Sequence, residues 1–260
     1  MNRPLRTLTP ALLVALLPLA ACGSDDGDGG NGSGGTGDAL SGSITVSAAA
    51  SLTGTFEELA AQFEAEHDGV EVELVFDSSG TLADQAVEGA PGDILATADT
   101  ASMERAAEAQ AEDPEIFATN ELVLVTPAEN PAGVTGIESL DDDAVTYVIC
   151  VETAPCGGLS AEALEDAGID REPASLERDV KATLSRVVED EADAGLVYRT
   201  DALASGDDVQ TFDLPEQLTT EYPIALLQQS RNTGVAQAFI DFVLSTAGAD
   251  VLTAAGFGTP

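Results

Sequence analysis

Four stretches bring small or hydroxyl-bearing residues to points where a helix should begin just after a strand. The first is Ser47-Ala48-Ala49-Ala50-Ser51-Leu52-Thr53, which follows the β-like run Ile44-Thr45-Val46. The second is Ser79-Gly80-Thr81, the third Cys156 to Ser160, and the fourth Asp179-Val180-Lys181. A helix start carries backbone N–H groups with no intrahelical partner, together with the positive end of the macrodipole. A serine there can cap the helix, or it can join those N–H groups in holding an anion. Taken alone, Ser51 reads as a cap. Lys181 is the one basic residue within any of the four stretches. An anion held here would therefore meet N–H and O–H donors rather than fixed positive charges.

The elements that must position these residues alternate. Phe56, Leu59, Ala60 and Phe63 fall at i, i+3, i+4 and i+7, which predicts a helix after Ser51. Val70 to Phe76 alternates as a strand and runs into a short helix over 82–87. Further strands are expected at 93–96, 121–126, 146–151, 194–198 and 222–227. A helix is expected after Thr100, one over 160–167, one from Asp179, and two at the end, over 235–244 and 247–255. Strands alternating with helices define an α/β class. In open sheets of that class, ligands gather where strand ends meet helix starts.

Composition narrows the function. The chain carries 47 acidic and 9 basic residues, a net charge of −38. Such a surface argues against nucleic acid and against an anionic membrane face. No Gly-x-Ser-x-Gly elbow and no phosphate loop ending in Gly-Lys-Ser/Thr is present. The single histidine, His67, has no nucleophile beside it in sequence, so a serine triad finds no support and no enzyme is expected. Asp141 to Asp143 reads as a solvated loop.

Residues 1–21 have a basic start, an apolar core from Ala11 to Ala20 and a small-residue end, the pattern of a secretory signal too short to span a bilayer. The ending Leu19-Ala20-Ala21-Cys22 resembles a bacterial lipobox, which implies lipidation of Cys22 and an extracytoplasmic protein anchored to the cell membrane. Residues 22–42 are rich in Gly, Ser and Asp and read as a flexible tether. Their Asp25-Asp26-Gly27-Asp28 run lacks the terminal acid of a calcium loop. Of the three cysteines, Cys150 and Cys156 remain. Outside the cytoplasm they are expected to pair, closing a short loop. A metal pair is the alternative, but nitrogen ligands are nearly absent.

Six motifs in register resemble the molybdate-binding proteins of molybdate ABC transporters. They are Ala48–Thr53, Ser78–Ala83, Gly89–Ile94 with Ala98-Asp99, Pro155-Cys156-Gly157, Asp179-Val180, and Gly195–Tyr198 with Asp201-Ala202. The resemblance covers essentially 43–260. It implies a two-lobed solute-binding fold of type II, each lobe a mixed, mostly parallel sheet flanked by helices, with two strands crossing between lobes. Lobe 1 would be 43–121 with 223–260, and lobe 2 would be 122–222. It further implies that Ser51, Ser79 and Tyr198 give hydroxyl contacts to a tetrahedral oxyanion, molybdate or tungstate. Cys156 and Val180 would give backbone amides. The metal would be held only as its oxyanion, with no side chain on the metal and no cofactor. A permease and ATPase would be the partners of a monomeric binding protein. Two departures stand out. Cys156 replaces a usual alanine, and Gly80 replaces a frequent serine, a change expected to cost little. Sulfate or thiosulfate on a similar fold is the alternative ligand.

Overall fold

The computed structural model describes residues 40–260. The expectations for 1–21, for Cys22 and for Asp25–Asp28 lie outside the described residues.

Among the described residues, nine strands form one curled sheet in the order β2-β1-β3-β9-β4-β7-β5-β6, with β8 pairing to β4. The first half contains β1 (Gly42–Ala49), β2 (Val70–Asp77) and β3 (Ile94–Ala96), mutually parallel through β1. The second half contains β5 (Tyr147–Cys150), β6 (Ser175–Glu177) and β7 (Ala194–Tyr198), parallel through β5. Two longer strands join them. β4 (Glu115–Pro127) pairs with β9 (Thr219–Leu226) up to Glu121, then with β7 from Leu122 and with β8 (Val209–Phe212) from Leu124. All pairs made by β4 and β9 are antiparallel.

The helices pack as their spacing predicts. α1 (Thr53–Glu66) buries Phe56, Leu59, Ala60 and Phe63, the residues of the expected stripe. Phe56 and Phe63 meet Phe239 of α7 (Thr233–Val243) at ring distances of 6.3 and 5.3 Å. Edge-on aromatic contacts of this kind add to the area they bury. α2 (Ser79–Val87), α3 (Thr100–Arg105) and α8 (Thr246–Ala254) complete the first half. α4 (Pro155–Asp166), α5 (Val180–Val188) and α6 (Arg199–Ala204) flank the second.

Two elements, and the start of a third, are not legible in the sequence. β6 and β8 are short and carry mostly exposed or half-buried residues, so they show no apolar run. β4 begins at Glu115, six residues before the apolar stretch, because Phe117, Ala118 and Asn120 are buried by pairing with β9. Such pairing is tertiary and leaves no periodic trace.

The loop between β9 and α7 is held by one acid that stands just before β3. Asp93 accepts hydrogen bonds from the Thr45 N–H (2.8 Å), the Ser230 hydroxyl (2.6 Å) and the Arg231 N–H (2.9 Å). Burial pushes its carboxyl up, but the hydrogen bonds outweigh this and hold it below the usual carboxylate range.

Candidate functional site

The strand ends and helix starts of the two halves converge on one small space of about 10 Å³. That is room for the centre of about one water molecule. Ala49, Ala50, Ser51, Ser78, Ser79 and Ala98 line it from the first half. Ala154, Pro155, Cys156, Asp179, Val180 and Tyr198 line it from the second. The five residues singled out from the sequence, Ser51, Ser79, Cys156, Val180 and Tyr198, therefore face a common cleft.

Each arrives by local logic. β1 ends at Ala49 and turns through a single 3-10 turn, Ala50–Leu52, into α1. Three alanines leave the space for that turn. Ser51 does not cap α1: no side chain caps that helix start, and the Ser51 hydroxyl lies 2.9 Å from Tyr222 Oη instead. Ser79 is the first residue of α2, and its Oγ accepts the Ala98 N–H at 2.9 Å. Its helix has no side-chain cap either.

On the opposite wall, Pro155 sits in the first turn of α4 with Cys156 behind it. Proline suits that position, where its missing N–H would find no partner. Cys156 is joined to Cys150 by a disulfide with Cα atoms 5.8 Å apart. The bridge ties the end of β5 to the start of α4, and so holds the Cys156 amide against its strand. A Cβ at Gly157 would come 1.9 Å from the Val151 carbonyl oxygen, so only glycine fits beneath that loop. Val180 opens α5, whose cap is Asp179, accepting the Ala182 N–H at 2.8 Å. Cys156 and Val180 thus both lie in first helical turns, where backbone N–H groups lack intrahelical partners.

Tyr198, at the end of β7, is 1% exposed, and its Oη has no hydrogen-bond partner. Burial, with Tyr222, Asp99 and Asp201 nearby, pushes its pKa well up, so it stays a neutral hydroxyl. A buried, unpartnered hydroxyl costs free energy unless something completes it.

One carboxylate lines the cleft, that of Asp179. Its Oδ1 is engaged by the Ala182 N–H, and its Oδ2 is 3.0 Å from Arg178 Nε, so the group is turned into its own helix start. Gly80, expected to be a change of little cost, is not one. A Cβ there would stand 2.5 Å from the Thr153 carbonyl oxygen on the facing wall. The two walls touch at this point, so a side chain would wedge them apart. Sequence reading also missed Tyr222, which meets Ser51 from behind, and Asn120 and Thr200, which are linked to it by hydrogen bonds. A polar Asn120 at the edge of an apolar run was the one available sign.

Lys181 does not face the cleft as a free charge. Its Nζ is 2.8 Å from Asp201 Oδ1, and Asp201 is fully buried. Ser51 and Lys181 also line a larger open groove of about 760 Å³ between α1, α6 and α8. Glu58 and Asp250 lie along that groove as well, which suits an anion poorly. The smaller space concentrates the buried donors. What it can do chemically is hold a small anion by neutral donors aimed inward. His67 packs at the end of α1, its ring 4.5 Å from that of Phe63, and does not line the cleft. Among the described residues no cluster of His, Cys, Asp or Glu could hold a metal ion.

A bilobal α/β frame with converging helix starts defines a solute-binding protein. The chain belongs to the bacterial extracellular solute-binding protein family, whose pattern it matches over residues 44–258. It therefore works outside the cytoplasm. Among its relatives is the Molybdate-binding protein ModA of Mycobacterium tuberculosis, 37% identical over 97% of each chain. The periplasmic molybdate-binding protein of Azotobacter vinelandii superposes with a TM-score of 0.75 at 21% identity, covering 84% of this chain and 99% of that one. The sulfate-binding protein SubI of Mycobacterium tuberculosis superposes with the same TM-score at 19% identity, over 83% and 86%. These two structures share the fold, and the fold alone does not choose the anion.

Proposed function

We propose that this protein captures molybdate, and tungstate with it, between its two lobes and delivers the ion to an ABC importer. The observation that carries this reading is the buried, unpartnered Tyr198 hydroxyl facing the same space as Ser51 and Ser79. Around it the cleft offers neutral donors, and its one carboxylate is engaged elsewhere. Such a set suits an oxyanion that carries no proton. Hydrogen phosphate would need an acceptor for its own proton. The naming of the 37%-identical relatives supports the same choice. Lobe 1 is taken as 43–121 with 223–260 and lobe 2 as 122–222, with β4 and β9 as the hinge. The serines and Tyr198 have a binding role and no catalytic one. Calorimetric titration with molybdate, tungstate, sulfate and phosphate tests the reading. Heat with molybdate and tungstate is expected, and its absence would refute the assignment. Heat with sulfate alone would make this a sulfate carrier.

Gly80 lies against the Thr153 carbonyl of the facing wall, with no room for a Cβ. Gly80→Ala is expected to weaken molybdate binding by about 1–3 kcal/mol, the usual range for overpacking, with little change in the melting temperature. An affinity equal to wild type would show that the walls need not meet there.

The net charge of −38 repels a dianion from a distance. Capture is therefore expected to speed up as salt is added, the reverse of an attractively steered encounter. Stopped-flow on-rates that fall with ionic strength would contradict this.

Lipidation of Cys22 is expected to hold the protein at the membrane. Cys22→Ser should move it from the membrane fraction to the soluble fraction, and retention in the membrane fraction would argue against the anchor.

A further inference from the structure

Behind the cleft runs a buried chain of hydrogen bonds whose direction can be worked out atom by atom. It starts at a backbone group that can only donate. The Glu121 N–H gives its proton to Asn120 Oδ1 at 2.9 Å, which fixes the amide orientation and leaves Nδ2 as the donor end. Nδ2 carries two protons. One goes to Thr200 Oγ1 at 2.8 Å and the other to Tyr222 Oη at 3.2 Å. Tyr222 Oη, accepting from Asn120, has one proton of its own. Its other partner is Ser51 Oγ at 2.9 Å, so the proton goes there. Burial keeps Tyr222 protonated, and the ring is fully enclosed. Ser51 Oγ therefore accepts from behind, and its own proton is left to point forward into the cleft.

Ser79 is prepared in the same way by a different route. Its Oγ accepts the Ala98 N–H at 2.9 Å, while Thr220 Oγ1 holds the Ala98 carbonyl at 2.6 Å. Both serine oxygens thus receive one hydrogen bond from the protein, and both serine protons are free on the cleft side.

We infer that Tyr222 and Asn120 are positioning residues that commit Ser51 to donating, and that this commitment makes the site prefer fully deprotonated oxyanions over protonated ones of the same shape. The inference rests on the oxyanion reading proposed above. A serine with no partner behind it can rotate, either giving its proton or turning a lone pair outward to take one. The relay removes that freedom. It also polarises Ser51, because a hydroxyl that accepts one hydrogen bond donates a stronger one. Placing the relay on the crossing strands has a further consequence. Ser51 belongs to the first half of the sheet, Thr200 to the second, and Asn120 and Tyr222 lie on β4 and β9 between them. The donor direction is therefore set from the two strands that join the halves of the sheet.

The test is a double-mutant cycle read by calorimetry with molybdate and with inorganic phosphate, using the wild type, Ser51→Ala, Tyr222→Phe and the Ser51→Ala/Tyr222→Phe pair. Tyr222→Phe is expected to weaken molybdate binding about tenfold and to lower the molybdate-to-phosphate affinity ratio. In the Ser51→Ala background it should add almost nothing, because both changes remove one interaction. Asn120→Asp supplies an independent arm, measured toward alkaline pH where the carboxylate form prevails. It keeps an oxygen for the Glu121 N–H but replaces the donor to Tyr222 with an acceptor. Tyr222 then donates to the introduced carboxylate and draws the Ser51 proton back, so the affinity ratio should fall further than in Tyr222→Phe. A merely structural role would move the melting temperature and leave the ratio in place. A tight wild type whose Tyr222→Phe variant keeps both affinity and ratio, or losses that add in full across the cycle, would overturn the relay and leave the carrier assignment standing. A wild type that gives no heat with molybdate would instead overturn the carrier assignment, and the inference with it.

Discussion

Molybdate binding is expected to weaken by about 3–6 kcal/mol, roughly 10²- to 10⁴-fold, when Ser51 and Ser79 are both changed to alanine. The figure takes about 1.5–3 kcal/mol for each hydrogen bond to a charged partner. The upper part of the range is favoured by burial. Ser51 is 6% exposed and Ser79 is 1% exposed, so no water stands ready to replace the lost donors. Both hydroxyls are also held from behind, by Tyr222 and by the Ala98 N–H, so little order has to be imposed when the ion arrives. The change also has a folding cost. Ser79→Ala orphans the Ala98 N–H and Ser51→Ala leaves the Tyr222 hydroxyl proton without an acceptor, each worth about 1–3 kcal/mol, while Tyr222 keeps its bond from Asn120. Calorimetry beside a melting curve separates the two effects. An affinity within twofold of wild type, with the fold intact, would remove both serines from the site.

The second large effect is expected from Lys181→Met, which keeps the aliphatic stem and deletes the charge. Asp201 is fully buried, and Lys181 Nζ is its cation at 2.8 Å. Removing one member of a buried pair strands the other, which commonly costs about 3–5 kcal/mol. Lys181 is 37% exposed and partly screened by water, so about 2–3 kcal/mol is the better expectation. The loss should depend on pH. Burial pushes the Asp201 carboxyl above its ordinary value, and Lys181 opposes that push. With the lysine gone, the folded chain takes up the proton more readily than the unfolded one. The neutral carboxyl therefore stabilises the fold at low pH, and that contribution is lost as pH rises through the folded pKa. The urea midpoint of the variant should fall short of wild type by less at about pH 5 than at about pH 8. An equal deficit at both would mean that Asp201 does not carry the effect. Asp201 lies in α6, which starts directly after Tyr198, so a weaker hold on Tyr198 should accompany the loss.

Most of the elements and the four helix starts at the cleft were legible without coordinates, for local reasons, whereas Tyr198 was reached only through the family resemblance. Periodicity marks α1, because Phe56, Leu59, Ala60 and Phe63 must share one face to be buried. Apolar runs mark β5 and β7, because strands covered on both sides have no polar face. Small residues after a strand mark the turns into α1, α2 and α4, because the backbone has to bend sharply there. What these signals cannot carry is direction. Whether Ser51 caps its helix or donates to a ligand turns on Tyr222, 171 residues away, and Tyr222 is oriented by Asn120, 102 residues from it. Asp179 stands where an N-cap belongs, and the folded chain shows its carboxylate turned toward Ala182 and Arg178. Gly80 looked replaceable until Thr153 of the other wall met it. By itself the sequence determined the α/β class, the helix starts and the stock of neutral donors, since each depends on neighbours along the chain. Tertiary structure alone decided which hydroxyls face the cleft and which way their protons point, because a hydrogen bond takes its direction from a partner that only folding brings within about 3 Å.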